Sequence, residues 1–254
     1  MLILFKKNNV KFKICLYTTL VSSLSMQVEV IEDITLNPDL KEFVNLKKIR
    51  GVSEDEVKKI LEVGLSLAKP RALLATVNVE KIDGVQVQVE GGYVFEGKIL
   101  SSRLSVGQPI IVYVITLGRE LEKAASELAK ESVVKAYVLE SVGDYLLFKA
   151  REYVKGLVEK RLGGTVSSFA PGTGKGDLFD LRQQEVIFRM LEPWKHIGVS
   201  LTSSLLMVPR KSSSGIFALS AEEYVACMYC PRKCESRRRP FVGNFREVKC
   251  DLHV

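Results

Sequence analysis

Apolar and polar positions along the chain alternate between the two-residue period of strands and the 3.6-residue period of helices. Between Ser53 and Ala68 the residues Val57, Ile60, Leu61 and Leu65 recur at helical intervals, which puts them on one face of a helix. Ser53 and Glu56 form a capping-box pattern at its start, Val52 and Val57 are spaced to staple its first turn, and Pro70 closes it. Ala72 to Ile82 is rich in β-type residues, Asp83-Gly84 is a tight-turn signal, and Val85, Val87 and Val89 then alternate. That pattern predicts a β-hairpin, broken at Gly91-Gly92. Ile110 to Thr116 is a continuous apolar run after the turn residues Gly107-Gln108-Pro109, and reads as a buried strand ending at Gly118. Helix is predicted from Arg119 to Glu131 and again from Ser132 to Leu162, where Val134, Val138, Val142, Tyr145, Leu146 and Leu157 repeat before Gly163-Gly164. Together these elements predict an α+β fold: a mixed or antiparallel twisted sheet covered on one side by two or three helices.

The stretch SFAPGTGKGDLFDLRQQEVIFRMLEPWKHIGVSLTSSLLMVPRKSSSG, from Ser168 to Gly215, has the character of a ligand platform. A Pro-Gly-rich loop from Ala170 to Gly176 leads into a short amphipathic helix predicted to begin at Asp177, and its glycines permit close approach of backbone amides to a bound molecule. Short apolar runs follow at Ile197 to Leu201 and Leu205 to Val208, then a Ser-rich turn and a third run from Ile216 to Leu219. Gly172-Thr173-Gly174-Lys175-Gly176 is not a phosphate-binding P-loop, because Phe169 stands where that motif needs its first glycine and Gly176 where it needs Ser or Thr. His196, beside Trp194 with no partner carboxylate or nucleophile signalled near it, reads as a packing or turn residue.

The order of these elements resembles the activation domain of cobalamin-dependent methionine synthase and its stand-alone relatives. Ala170-Pro171-Gly172, Leu201-Thr202-Ser203-Ser204, Pro209 and Ser212-Ser213-Ser214-Gly215 carry the resemblance. The chain departs from the family at Ser168 and Thr173, where the family has Arg and Tyr, and at Ser203, where it has Glu. On the long helix, matching a Glu-x-Val step to Glu152 and Val154 brings Asp144 to the family's acidic position, just after the small Gly143. The resemblance spans roughly Ile110 to Leu219. It implies that Pro171, Gly172 and Thr173 shape a pocket for S-adenosylmethionine, that Asp144 meets the ligand's ammonium, and that Ser212 and Ser214 supply hydroxyls. It further implies reductive activation of a corrinoid protein or cobalamin-dependent methyltransferase, with the cobalamin and an electron donor protein supplied by partners. A non-catalytic assembly subunit that keeps the fold without the ligand is the alternative, and a zinc-binding regulatory protein is another.

Charge narrows the class of partner. Of the net +7, residues 1–25 carry +4 and residues 227–254 carry +4, so Met26 to Ala226 sums to −1. A nucleic-acid-binding body would carry its basic field on the folded core, so no nucleic-acid partner is expected. The acid-free, basic first 25 residues could begin a signal peptide, but their apolar stretch is interrupted by Tyr17, Thr18 and Thr19 and is far short of the ~20 residues a membrane span needs. Translation from Met26 is the preferred expectation, with residues 1–25 an extension, 26–220 the α+β domain and 221–254 a Cys-rich tail.

Four of the five cysteines lie in that tail: Cys227, Cys230, Cys234 and Cys250. A C-x2-C pair brings two thiolates to one ion from a single turn, and the other two complete a four-sulfur set. Nearby Arg232, Lys233, Arg237, Arg238 and Arg239 would offset its negative charge. A disulfide framework is not expected in a large chain otherwise poor in cysteine, which points to a reducing cytoplasm. The spacing suits zinc and an iron–sulfur cluster alike, and the resembled family's reductive chemistry favours iron–sulfur.

Overall fold

A computed structural model describes residues 2–7 and 10–15 by backbone alone, and residues 26–47, 49–174, 178–233, 237 and 239–242 in full. Strands β1 (Leu2–Lys7) and β2 (Val10–Cys15) pair antiparallel with each other. The body begins with β3 (Val28–Ile31), followed by α1 (Leu40–Lys47) and α2 (Glu54–Leu67). Ser53 caps α2 as its sequence predicts, its hydroxyl accepting from the Glu56 amide at 3.3 Å. The hairpin follows as β4 (Arg71–Asp83) and β5 (Gln86–Val89), with Gly84 at φ +58° in the turn. Next come β6 (Tyr93–Glu96), the short α3 (Lys98–Ser101) and β7 (Pro109–Thr116). Helices α4 (Glu120–Glu131) and α5 (Val133–Leu162) lead to β8 (Val166–Phe169). The chain continues with α6 (Gln184–Leu191), α7 (Pro193–His196), β9 (Ser200–Leu201), β10 (Met207–Val208) and β11 (Ser212–Leu219).

Seven strands form one sheet in the order β6-β5-β4-β7-β11-β8, with β3 also on β4, and every pairing is antiparallel. The long β4 is shared: its first half pairs with β3 and β7, and after an irregularity between Val79 and Lys81 its second half carries β5 and β6. Helices cover both faces, where the periodicity predicted cover on one. Along β7, Ile110, Val112 and Val114 face a core built with α3 and α6, whereas Ile111, Tyr113 and Ile115 face a core built with α1, α2, α4 and α5. A strand apolar at every position must be buried on both sides, so the second layer is already implied by Ile110 to Thr116.

The long helix sets the position of the site. Ala150, Val154 and Val158 are buried against the sheet. Gly163, in the left-handed region at φ +74°, ends the helix, and β8 then runs back as an outer strand beside β11, with Phe169 opposite Ile216. The helix predicted at Asp177 starts later among the described residues. Leu178 and Phe179 are buried in a bend, Asp180 accepts from the Arg182 amide at 2.8 Å to cap a 3-10 turn at Leu181–Gln183, and α6 begins at Gln184. Burying those two apolar residues under the Pro-Gly loop takes precedence over extending the helix.

Candidate functional site

A cleft of about 540 Å³ opens at the β8 edge, between α5, the Pro-Gly loop and the first turn of the tail. From α5 come Phe148, Arg151, Glu152 and Lys155, spaced i, i+3, i+4 and i+7 on one helix face beside the buried stripe. Ser168, Ala170, Thr173 and Gly174 form a second wall, and Glu223 to Cys227 with Cys230 a third. Its size and its mix of aromatic, apolar and charged lining lie within the range of small-molecule sites.

The loop wall is fixed by its own hydrogen bonds. The Gly172 amide donates to the Phe179 carbonyl at 2.8 Å, and the Thr173 hydroxyl donates to the Ala170 carbonyl at 2.7 Å. Gly172 has φ +74°, and a Cβ there would meet Leu181 Cδ1 at 2.9 Å, so the glycine serves the turn as well as any ligand. Pro171 is buried. Ser168, where the resembled family has Arg, hydrogen-bonds its hydroxyl to that of Tyr113 at 3.0 Å.

The tail wall is docked on the body. Tyr224, 5% exposed, stacks on Phe169 with ring centroids 5.2 Å apart, and Tyr229 stacks on Tyr224 at 5.7 Å. Burial, then the nearby Tyr229, pushes the Tyr224 hydroxyl up to about 12. The Tyr224 amide donates to the Ser167 hydroxyl at 2.7 Å. Glu223 pairs with Lys155 and lies 3.6 Å from Arg239. The Lys155 hydrogen bond holds the Glu223 carboxyl below the usual carboxylate range. Burial works against the Lys155 charge, but Glu223 and the further carboxylates Glu159 and Glu152 outweigh it and raise its pKa. Beyond, the Arg237 guanidinium donates to the carbonyls of Cys227, Cys230 (2.8 Å) and Arg232 (2.6 Å), closing the C-x2-C turn from one side. Cys227 and Cys230 are free thiols, partly exposed at the cleft; Cys234 and Cys250 lie outside the described residues. Among the described residues no group of three or more His, Cys, Asp or Glu is placed to hold a metal ion.

The residues expected to meet the ligand fall in separate places. The β8–β11 ladder ends at the pair Phe169–Ile216, two residues short of both Pro171 and Ser214, and neither residue lines the cleft. Ser214 is 3% exposed, and its hydroxyl has no hydrogen-bond partner among the described residues. Ser212 is satisfied internally, its hydroxyl donating to the Pro209 carbonyl at 2.7 Å and hydrogen-bonded to the Thr116 hydroxyl at 2.9 Å. Asp144 lies one helical turn before Phe148 and does not line the cleft. Its carboxylate accepts from Lys211 at 2.7 Å and Lys47 at 3.3 Å. The space beside the small Gly143 is filled by Lys211, whose Cε would lie 2.9 Å from a Cβ at that glycine. Lys211 is 8% exposed; burial opposes its charge, but Asp144 and Glu140 outweigh it and raise its pKa. The sequence reading singled out neither Arg151 nor Lys155 nor the docking of Tyr224. The polar and aromatic stripe flanking the buried positions of the long helix is the signal that could have found the first two.

No family model and no curated protein matches the chain. Solved structures of similar fold include the MetH reactivation domain bound to AdoHcy, with a TM-score of 0.60 and 14% identity over 80% of this chain and 82% of that one. Among the described residues no helix is long and apolar enough to cross a membrane. The antiparallel sheet clad by helices is thus an architecture this chain has in common with that reactivation domain.

Proposed function

We propose that the chain is an S-adenosylmethionine-binding component for reductive activation of a corrinoid methyltransferase, such as a cobalamin-dependent methionine synthase. The observation that carries this reading is the cleft itself: a Pro-Gly loop faces a long helix across a cavity of about 540 Å³, in a fold whose solved counterpart was captured with AdoHcy. Thr173 and Gly174 shape the floor, and Ala170 and Phe148 offer apolar surface to an adenosyl group. Asp144 would receive the ammonium by exchanging Lys211 or Lys47 for it. The corrinoid and the electron donor come from partner proteins. The bound S-adenosylmethionine supplies the methyl group, and the chain's own part is to hold and orient it.

The tail enters the same proposal as a metal centre. Cys227 and Cys230 stand on a turn whose carbonyls are gathered by Arg237, and two thiolates so placed suit iron–sulfur or zinc, with Cys234 and Cys250 as the further ligands. Iron–sulfur fits an electron-relay role, zinc a structural one.

The commitment of Asp144 to Lys211 and Lys47 favours a second reading, an assembly subunit that keeps the fold without the ligand. Calorimetry on reduced, folded protein separates them. S-adenosylmethionine binding, with a thermal stabilisation that grows with ligand concentration, supports the first; no heat and no shift in melting temperature leave the second.

A further inference from the structure

Among the cations of the cleft, Arg151 stands apart by its partners. Lys155 is engaged by Glu223 and by Glu159 at 3.6 Å, and Arg239 lies against Glu223. Arg151, half-buried, has no carboxylate partner among the described residues; its guanidinium lies over the Phe148 ring, 5.9 Å from the centroid. A guanidinium resting on an aromatic face has its plane restrained while its N–H edges remain free to donate. Holding a long, entropically costly side chain partly buried in a cavity without an ion-pair partner is a poor use of it for stability. It is the arrangement needed to receive an anion from outside.

The lining chooses the anion. The cleft carries Arg151, Lys155 and Arg239 against Glu152 and Glu223, one positive charge in excess, which suits a single carboxylate better than a multiply charged phosphate chain. The planar fork of an arginine matches a carboxylate with two parallel hydrogen bonds. The loop and tail walls of the cleft offer apolar and small residues, Ala170, Gly174, Val225 and Ala226, which suit an uncharged ring system rather than a second ionic group. Resting on the reading of the cleft as an S-adenosylmethionine site, we infer that Arg151 is the carboxylate receptor of the ligand, so that the cleft selects adenosyl compounds bearing an amino-acid arm over those lacking it. The arm lies along α5, and the nucleoside lies toward the Pro-Gly loop and the tail.

The test compares S-adenosylhomocysteine with 5′-methylthioadenosine, which keeps the thioether nucleoside and lacks the carboxylate, by calorimetry on the full chain. The unaltered protein is expected to prefer S-adenosylhomocysteine, and Arg151→Met to lower its affinity for that compound on the order of 10- to 100-fold while leaving 5′-methylthioadenosine unchanged. Arg151→Lys, which keeps the charge and loses the fork, is expected to fall between, and it serves as the working variant should Arg151→Met not fold. If S-adenosylhomocysteine binds with no advantage over 5′-methylthioadenosine, or if the advantage survives in both variants, the role of Arg151 is overturned and the site reading stands. If the unaltered protein binds neither compound, the site reading is overturned and the receptor role with it.

Discussion

Gly174 and Ala226 touch so closely that a Cβ on the glycine would stand 2.9 Å from the Ala226 carbonyl oxygen. This contact joins the Pro-Gly-loop wall of the cleft to the tail wall, two distant parts of the sequence. Gly174 also has φ +72°, a conformation that strains any residue with a side chain. Gly174→Val is therefore expected to push the tail off the loop and to cost about 1–3 kcal/mol. Chemical denaturation reads the loss, and faster alkylation of Cys227 and Cys230 reads the undocking. Unchanged stability together with unchanged thiol reactivity would mean that the loop does not seat the tail.

Docking of the tail should depend on pH in a defined way. The Glu223 carboxyl lies below its ordinary value of 4.5, chiefly through the Lys155 hydrogen bond. Its contribution is thus present above the unfolded value and lost as pH falls through the lowered one. Lys155 lies above its ordinary 10.5, so its contribution is complete below that value and lost as pH rises through the raised one. Across neutral pH the docked state should be constant, loosening only in acid below about pH 4.5 and in strong base. Thiol reactivity of Cys227 followed against pH tests this, with Glu223→Gln expected to abolish the acid limb; a transition near neutrality would point to a different pair of groups.

Lys211 and Asp144 allow stability and binding to be separated. Lys211 is held by Glu140 as well as Asp144, each at 2.7 Å, so Asp144→Asn should cost no more than about 1 kcal/mol of stability. Lys211→Met removes the cation from both acids and should cost more, about 1–3 kcal/mol. If Asp144 receives the ligand's ammonium, Asp144→Asn should also weaken S-adenosylmethionine binding by about 1.5–3 kcal/mol. A variant that melts slightly lower and binds normally would assign Asp144 to the Lys211 cluster alone.

The tail's metal is decided by direct analysis. Protein prepared without oxygen should hold one centre, brown and bleached by dithionite if it is iron–sulfur, colourless with one zinc otherwise. Cys230→Ser should lose it and Cys15→Ser should not. Iron and zinc both at trace level would leave Cys227 and Cys230 as redox or docking thiols beside the cleft.

The sequence by itself determined the elements whose cause is local. Ser53 caps α2, Asp83-Gly84 turns the hairpin and Gly163 stops α5, because capping hydrogen bonds and positive φ are decided within a few residues. It also contained more than was drawn from it, since the unbroken apolar run at Ile110 to Thr116 already required helices on both faces of the sheet. Only the tertiary structure decided the site. That Lys211 enters the space beside Gly143 and ties up Asp144 depends on contacts between residues 67 apart. That Arg151 lies in a cleft with the Pro-Gly loop, and that Tyr224 fastens the cysteine turn to Phe169, depend on where β8 returns against β11 after a 30-residue helix. Periodicity reports which face of an element is buried. Which charged side chain on the other face finds a partner is settled by chain segments brought together from far away: Asp144 meets Lys211 and Lys47, whereas Arg151 has no carboxylate partner among the described residues.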